Sequence, residues 1–97
     1  MSDKVKVCLI GCGRAGMIHA RNYAGSVKEA ELAAICDPMD ENLNAMQQEL
    51  KGIPYIYHDY REALQNKEID AVIVVTPTQF HHDIVIAAAE AGKHVFC

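Results

Sequence analysis

Three glycines and one carboxylate are the residues whose types and spacing point most directly to chemistry. Gly11, Gly13 and Gly16 stand in the pattern Gly-x-Gly-x-x-Gly, and Asp37 follows about 20 residues later. The glycines come straight after the apolar run Val5 to Ile10 and open a helical pattern. In that context each has a physical task. Gly11 permits a tight turn out of a strand, and Gly13 lets a pyrophosphate approach the backbone without meeting a Cβ. Gly16 lets the helix pack closely. Unpaired N–H groups at the helix start, with the positive end of its dipole, then face the phosphates. A second apolar strand, Leu32-Ala33-Ala34-Ile35-Cys36, delivers Asp37, whose carboxylate can accept from the hydroxyls of an adenosine ribose. The chemistry is dinucleotide binding. The plainer reading is a glycine turn that serves only strand–helix packing, with Asp37 capping the next helix or turn. Asp37 can do both.

Asp37 also bears on which dinucleotide. A 2′-phosphate would set two anions about 4 Å apart, a repulsion of at most about 4 kcal/mol at an effective dielectric near 20. Pro38-Met39-Asp40-Glu41 holds no Arg or Lys to neutralise it, so NAD is favoured over NADP.

Cys12, Arg14, Ala15 and Met17 complete the glycine turn and the first helical residues, and Pro38 follows Asp37; all are counted with the cofactor site. Arg14 either leans toward adenine or phosphate or is simply solvated. Thr76-Pro77-Thr78 follows the most apolar strand. Pro77 fixes its own φ and turns Thr76 away from helical geometry. Such a loop can lie along the nicotinamide ribose; the plain alternative is a strand-to-helix turn with Thr78 as N-cap. His81-His82-Asp83 invites a metal reading, but adjacent helical histidines point about 100° apart and cannot share an ion. No metal site is assigned. His81 lines the nicotinamide side in one reading and packs as a polar helix-start residue in the other. His58 and His94 carry no partner pattern.

These residues need a scaffold. Strands are expected at Val5–Ile10, Glu31–Cys36, Tyr55–Tyr57, Ala71–Val75 and from His94. Helices are expected at Arg14–Ala24, Asp40–Leu50, from a capping box at Asp59-Tyr60-Arg61-Glu62 to Gln65, and at Phe80–Ala91. Strict alternation of strand and helix implies a doubly wound parallel sheet with right-handed crossovers, an α/β Rossmann-type fold in strand order 3-2-1-4-5. The glycine turn, Asp37 and Thr76–Thr78 all fall at the strands' C-terminal ends, where such sheets bind ligands.

Composition bounds the rest. The 97 residues are 51% hydrophobic and 23% charged, an ordinary globular balance for one domain. A net charge of −4 without a basic stripe argues against nucleic acid. No apolar run nears the roughly 20 residues of a membrane span. The first strand begins too early to leave room for a signal peptide, so the cytoplasm is expected. Cys8, Cys12, Cys36 and Cys97 form no zinc-type spacing and read as reduced thiols.

The chain resembles the N-terminal half of the Gfo/Idh/MocA oxidoreductases. The resemblance rests on Gly11-Cys12-Gly13-Arg14-Ala15-Gly16, on Asp37-Pro38, on Asp70 to His81 with its Thr-Pro-x-x-x-His, and on Ala88 to Cys97 with its Ala-Gly-Lys-His-Val. It implies the NAD-binding domain, residues 1–97, of an enzyme that moves a hydride between nicotinamide and a sugar or polyol. It implies also that the intact enzyme is a homo-oligomer. Where the family commonly has Asn after Thr-Pro, this chain has Thr78. The family's Glu-Lys-Pro motif, whose lysine is implicated in catalysis, and its substrate domain would follow Cys97, so no catalytic residue is assigned within the chain. Lys93 belongs to the preceding motif. A non-catalytic NAD(H)-sensing module and a CoA-binding Rossmann module are the alternatives.

Overall fold

Val5-Lys6-Val7-Cys8-Leu9-Ile10 is apolar on both sides of a pleat, and it forms the central strand β1 (Val5–Ile10). The computed structural model describes residues 5–13, 16, 18, 30–50, 52–76 and 78–96, with the backbone alone at 78–80. Arg14, Ala15, Met17, Pro77 and most of the first helix, expected over 14–24, lie outside these residues. Gly16 and Ile18 are helical. The other elements are β2 (Ala30–Cys36), α1 (Asp40–Glu49), β3 (Tyr55–Tyr57), α2 (Tyr60–Leu64), β4 (Ala71–Val74), α3 (Thr78–Glu90) and β5 (His94–Phe96).

All strand pairs are parallel and the order is β3-β2-β1-β4-β5, as expected. Alternate residues of each strand feed opposite faces, which is what period-2 geometry requires of a sheet covered on both sides. Cys8, Ile10, Ala34, Cys36, Val72 and Val74 pack with Ala63 and Leu64 of α2 and Ile84 and Ala88 of α3. Val7, Leu9, Ile35, Ala71 and Ile73 pack with Leu43 and Met46 of α1. Each large side chain buried this way contributes about 1.5–3 kcal/mol.

The differences from expectation are local. β4 stops at Val74, although the Val75 N–H still donates to the Ile10 carbonyl at 2.9 Å. α3 starts at Thr78, so Thr78 is its first residue and not its N-cap. Ala91 leaves the helix exposed, and Gly92, at φ +78°, stops it. On α1, Leu43 and Met46 are buried, while Gln47 is exposed and Leu50 half-buried. Asp59 caps α2 by accepting from the Arg61 N–H at 2.9 Å, one residue short of capping-box geometry.

Three backbone bonds tie the strand ends into one edge. Gly11 N–H donates to the Cys36 carbonyl at 2.8 Å, Asp37 N–H to Tyr57 at 3.1 Å and Val75 N–H to Ile10. The β1–β2 register shifts between Val7 and Cys8, an irregularity that sets which residue of β2 reaches the glycine turn.

Candidate functional site: a cleft at the C-terminal edge of the sheet

The glycine turn is the floor of the site, and its three glycines are required for different reasons. Gly11 has φ +102°, where side chains are strained, and a Cβ there would stand 2.9 Å from the Val75 carbonyl carbon. Gly16 is the tightest: a Cβ would lie 2.1 Å from the Gly11 carbonyl oxygen and 3.6 Å from the Leu9 side chain. The close approach is thus of helix to turn, with the sheet behind it. At Gly13 a Cβ would meet nothing within 4 Å, and the residue is exposed. The fold itself does not need a glycine there; a group seated on the turn would.

Asp37, at the end of β2, is 6% exposed. Its Oδ2 accepts from the Cys12 N–H at 2.8 Å and from the Asn42 amide at 3.1 Å, and its Oδ1 accepts from the Met39 N–H at 2.8 Å. The carboxylate therefore bridges the glycine turn and the entry to α1. Of the two capping roles that the sequence left open, it caps the turn, through the Met39 N–H, and it lines a cleft as well. That cleft holds about 790 Å³ and is lined by Gly11, Gly13, Asp37, Pro38 and Thr76 among the residues expected from sequence. Cys12, Gly16 and His81 are not on its wall. Cys12 is buried beneath the turn, its thiol toward the Cys36 carbonyl at 3.6 Å.

Burial holds the thiols protonated. It pushes Cys12 up to about 12, with the Asp37 charge adding to the shift, and pushes Cys36 up to about 12 as well. Cys8 is raised too, again chiefly by burial. Cys8, Cys12 and Cys36 are all free thiols.

Two polar atoms on the β4 side are the counterpart of the satisfied carboxylate. Thr76 Oγ1 and His81 Nε2 are buried, and among the described residues neither has a hydrogen-bond partner. Buried polar groups are nearly always paired, so such atoms call for a ligand or water. Thr76 is on the cleft wall; His81 lies in the first turn of α3. The open space over Gly13 and the Thr76 hydroxyl on the cleft wall fit a dinucleotide whose phosphates cross the turn; His81 Nε2 lies off that wall. Among the described residues no group of His, Cys, Asp and Glu could hold a metal ion.

The third βα turn escaped sequence reasoning. His58, Asp59, Tyr60 and Arg61 line the same cleft, together with Met39 and Asn42. His58 pairs with Asp40 through Nε2 and Oδ1, a partner that the sequence pattern did not show. Arg61 is a cation on the wall, 3.9 Å from Asp59 and over the Tyr60 ring at 5.4 Å. The signal was present: His58 and Asp59 directly follow β3, at the same strand edge as Asp37 and Thr76. Lys93 is structural, its Nζ donating to the Asn66 and Ile69 carbonyls at 2.7 Å each.

Comparison with known proteins agrees with this fold. Residues 5–97 match the GFO_IDH_MocA family model, described as an oxidoreductase family with an NAD-binding Rossmann fold. The chain belongs to this family. Among Gfo/Idh/MocA relatives, scyllo-inositol 2-dehydrogenase (NAD(+)) of Bacillus subtilis is 42% identical over 96 residues, 99% of this chain and 28% of that protein. Myo-inositol 2-dehydrogenase of Thermotoga maritima is 40% identical over 93 residues, 96% of this chain and 27% of that protein. The crystal structure of scyllo-inositol dehydrogenase from Lactobacillus casei, with bound NAD(H) and scyllo-inositol, superposes with a TM-score of 0.89 at 36% identity. It covers 95% of this chain and 27% of that one. The chain thus spans a little over a quarter of the relatives it matches, the NAD-binding part of the Gfo/Idh/MocA architecture. No helix among the described residues is long and apolar enough to cross a membrane.

Proposed function

We propose that residues 1–97 form the cofactor domain of an NAD-dependent polyol dehydrogenase, with an inositol or related cyclic polyol as the first substrate to test. The observation that carries this reading is the single cleft joining the glycine turn, the Asp37 carboxylate and the unpaired Thr76 hydroxyl. The inositol-oxidising relatives support the substrate class.

In this reading the pyrophosphate crosses Gly13 and the helix start, with Cys12, Arg14, Ala15, Gly16 and Met17 around it. Asp37 and Pro38 hold the adenosine ribose. Thr76, Pro77, Thr78 and His81 serve the nicotinamide side, where the two unpaired atoms gain partners. Bound NAD supplies hydride acceptance at its nicotinamide ring from a carbinol carbon of the polyol. The chain's own residues bind and orient. Asp37 disfavours a 2′-phosphate, and Arg61, on the same wall and 3.9 Å from Asp59, is a cation there that competes with that preference. The same reading assigns the substrate-binding and proton-transfer groups to further sequence, makes the intact enzyme a homo-oligomer and puts it in the cytoplasm, where free thiols persist.

Calorimetric titration of the chain with NAD, NADP and CoA tests this. NAD should bind, NADP at least about tenfold more weakly, which is roughly 1.4 kcal/mol, and CoA not measurably. Asp37→Ala should weaken NAD by about 100-fold, since a charged, largely buried partner is lost. NAD binding that ignores Asp37→Ala, or equal binding of NADP, would overturn the assignment.

A further inference from the structure

Asp37 already holds more hydrogen bonds than ribose recognition leaves room for. An ionised carboxylate offers about four lone-pair positions, two on each oxygen. Oδ1 takes one protein donor, the Met39 N–H, and Oδ2 takes two, the Cys12 N–H and the Asn42 amide. A ribose diol that donates to both oxygens needs one position on each. Oδ1 has one; Oδ2 has none.

One donor on Oδ2 must therefore give way. The Cys12 N–H belongs to the backbone of the glycine turn, which is anchored by the Gly11–Cys36 bond and crowded by Gly16. Asn42 reaches Oδ2 from the first turn of α1 through a half-buried side chain, and its bond is the longest of the three. A rotation about its own side-chain bonds withdraws it without moving backbone. Asn42 also lines the cleft.

We propose that Asn42 is a placeholder that sets specificity: without cofactor its amide occupies the Oδ2 position of Asp37 that a ribose hydroxyl takes, and it swings away when that hydroxyl arrives. The inference rests on the reading of Asp37 as the ribose carboxylate. Without ligand, Asn42 fills the second acceptor position of Oδ2 on a buried carboxylate, beside the Cys12 N–H. Binding exchanges one hydrogen bond for another, so only a ligand that brings a donor displaces the amide. A ribose hydroxyl does. A phosphate or a hydrogen in place of the hydroxyl that meets Oδ2 brings no donor there, so Asn42 adds a chemical filter to the charge of Asp37.

The test titrates the wild-type chain and Asn42→Ala with NAD and with an NAD analogue lacking the adenosine 2′ and 3′ hydroxyls, and records thermal melts without ligand. Asn42→Ala should bind NAD about three- to tenfold more tightly, the range set by removing one competing hydrogen bond of ordinary net strength. It should melt at a lower temperature without ligand, and its affinity for the analogue should match that of wild type. Weaker or unchanged NAD binding by Asn42→Ala, or equal tightening for NAD and the analogue, overturns the placeholder. If Asp37→Ala still abolishes NAD binding in that case, only this inference falls. If Asp37→Ala leaves NAD binding intact, the ribose assignment falls with it.

Discussion

The two ends of the same parallel strands treat polar groups in opposite ways. At the N-terminal end they are tied to one another. The Lys6 N–H donates to the Asp70 carboxylate at 2.9 Å, the Asp70 N–H returns to the Lys6 carbonyl at 2.8 Å, and Lys6 Nζ faces Glu68 at 3.6 Å. Glu68 also receives the Tyr55 hydroxyl, and the Lys93 ammonium clamps two carbonyls of the turn before β4. At the C-terminal end the backbone parts to make a cleft, one carboxylate is held at its wall, and two buried polar atoms stand without partners among the described residues. One end closes the fold. The other leaves interactions unformed, at a cost in stability, which a ligand would complete on the reading proposed above.

The comparison can be broken at several points, beginning with the largest effect. Gly16→Ala places a Cβ 2.1 Å from a backbone oxygen that cannot move without the whole turn. It should destabilise the domain by about 3 kcal/mol or more, read by urea denaturation, while Gly13→Ala should cost less than about 0.5 kcal/mol and still weaken NAD. At the opposite end, Lys93→Met keeps the stem and removes the ammonium that serves two carbonyls. A loss of about 2 kcal/mol with an unchanged NAD affinity is expected; a shift in affinity would mean that the two ends are not separate.

Thr76→Val sharpens the contrast, because it should move stability and binding in opposite directions. Replacing an unpaired buried hydroxyl by a methyl group of similar shape should raise stability by up to about 1 kcal/mol without ligand, and NAD should bind several-fold more weakly. A variant that is both less stable and unaltered in binding would show that the hydroxyl is structural. The smallest effect is alkaline. Cys12 and Cys36 titrate near 12 in the folded chain, above their ordinary value of 9.0. Their contribution is full below about pH 9 and is lost as pH rises toward 12, because the unfolded chain sheds these protons first. The melting temperature should therefore fall across that window, and less steeply in Cys12→Ala; below pH 8 the thiols should resist alkylation until the protein unfolds.

Much of the scaffold was legible because its signals are local. The continuous apolar run at Ala71–Val74 and the helical spacing of Leu43 and Met46 on α1 are signals carried along the chain itself. Where boundaries slipped, a neighbour decided. Val75, just past β4, packs close to the Gly11 turn, and the capping expected from Asp59 to Glu62 goes to the Arg61 N–H instead.

The amino-acid sequence alone determined the order of elements, the sheet they build and the strand edge on which a ligand would rest, since spacing and alternation carry that information along the chain. It could not say that Asp37 meets the Cys12 N–H, that Asn42 sits on the same oxygen, or that His58 to Arg61 wall the cleft. Those meetings join residues from separate turns, and they depend on a register shift between two strands and on where each helix starts. Only the packed chain sets those positions, because a displacement of one residue along β2 would turn its side chains to the other face and move the start of every turn that follows it.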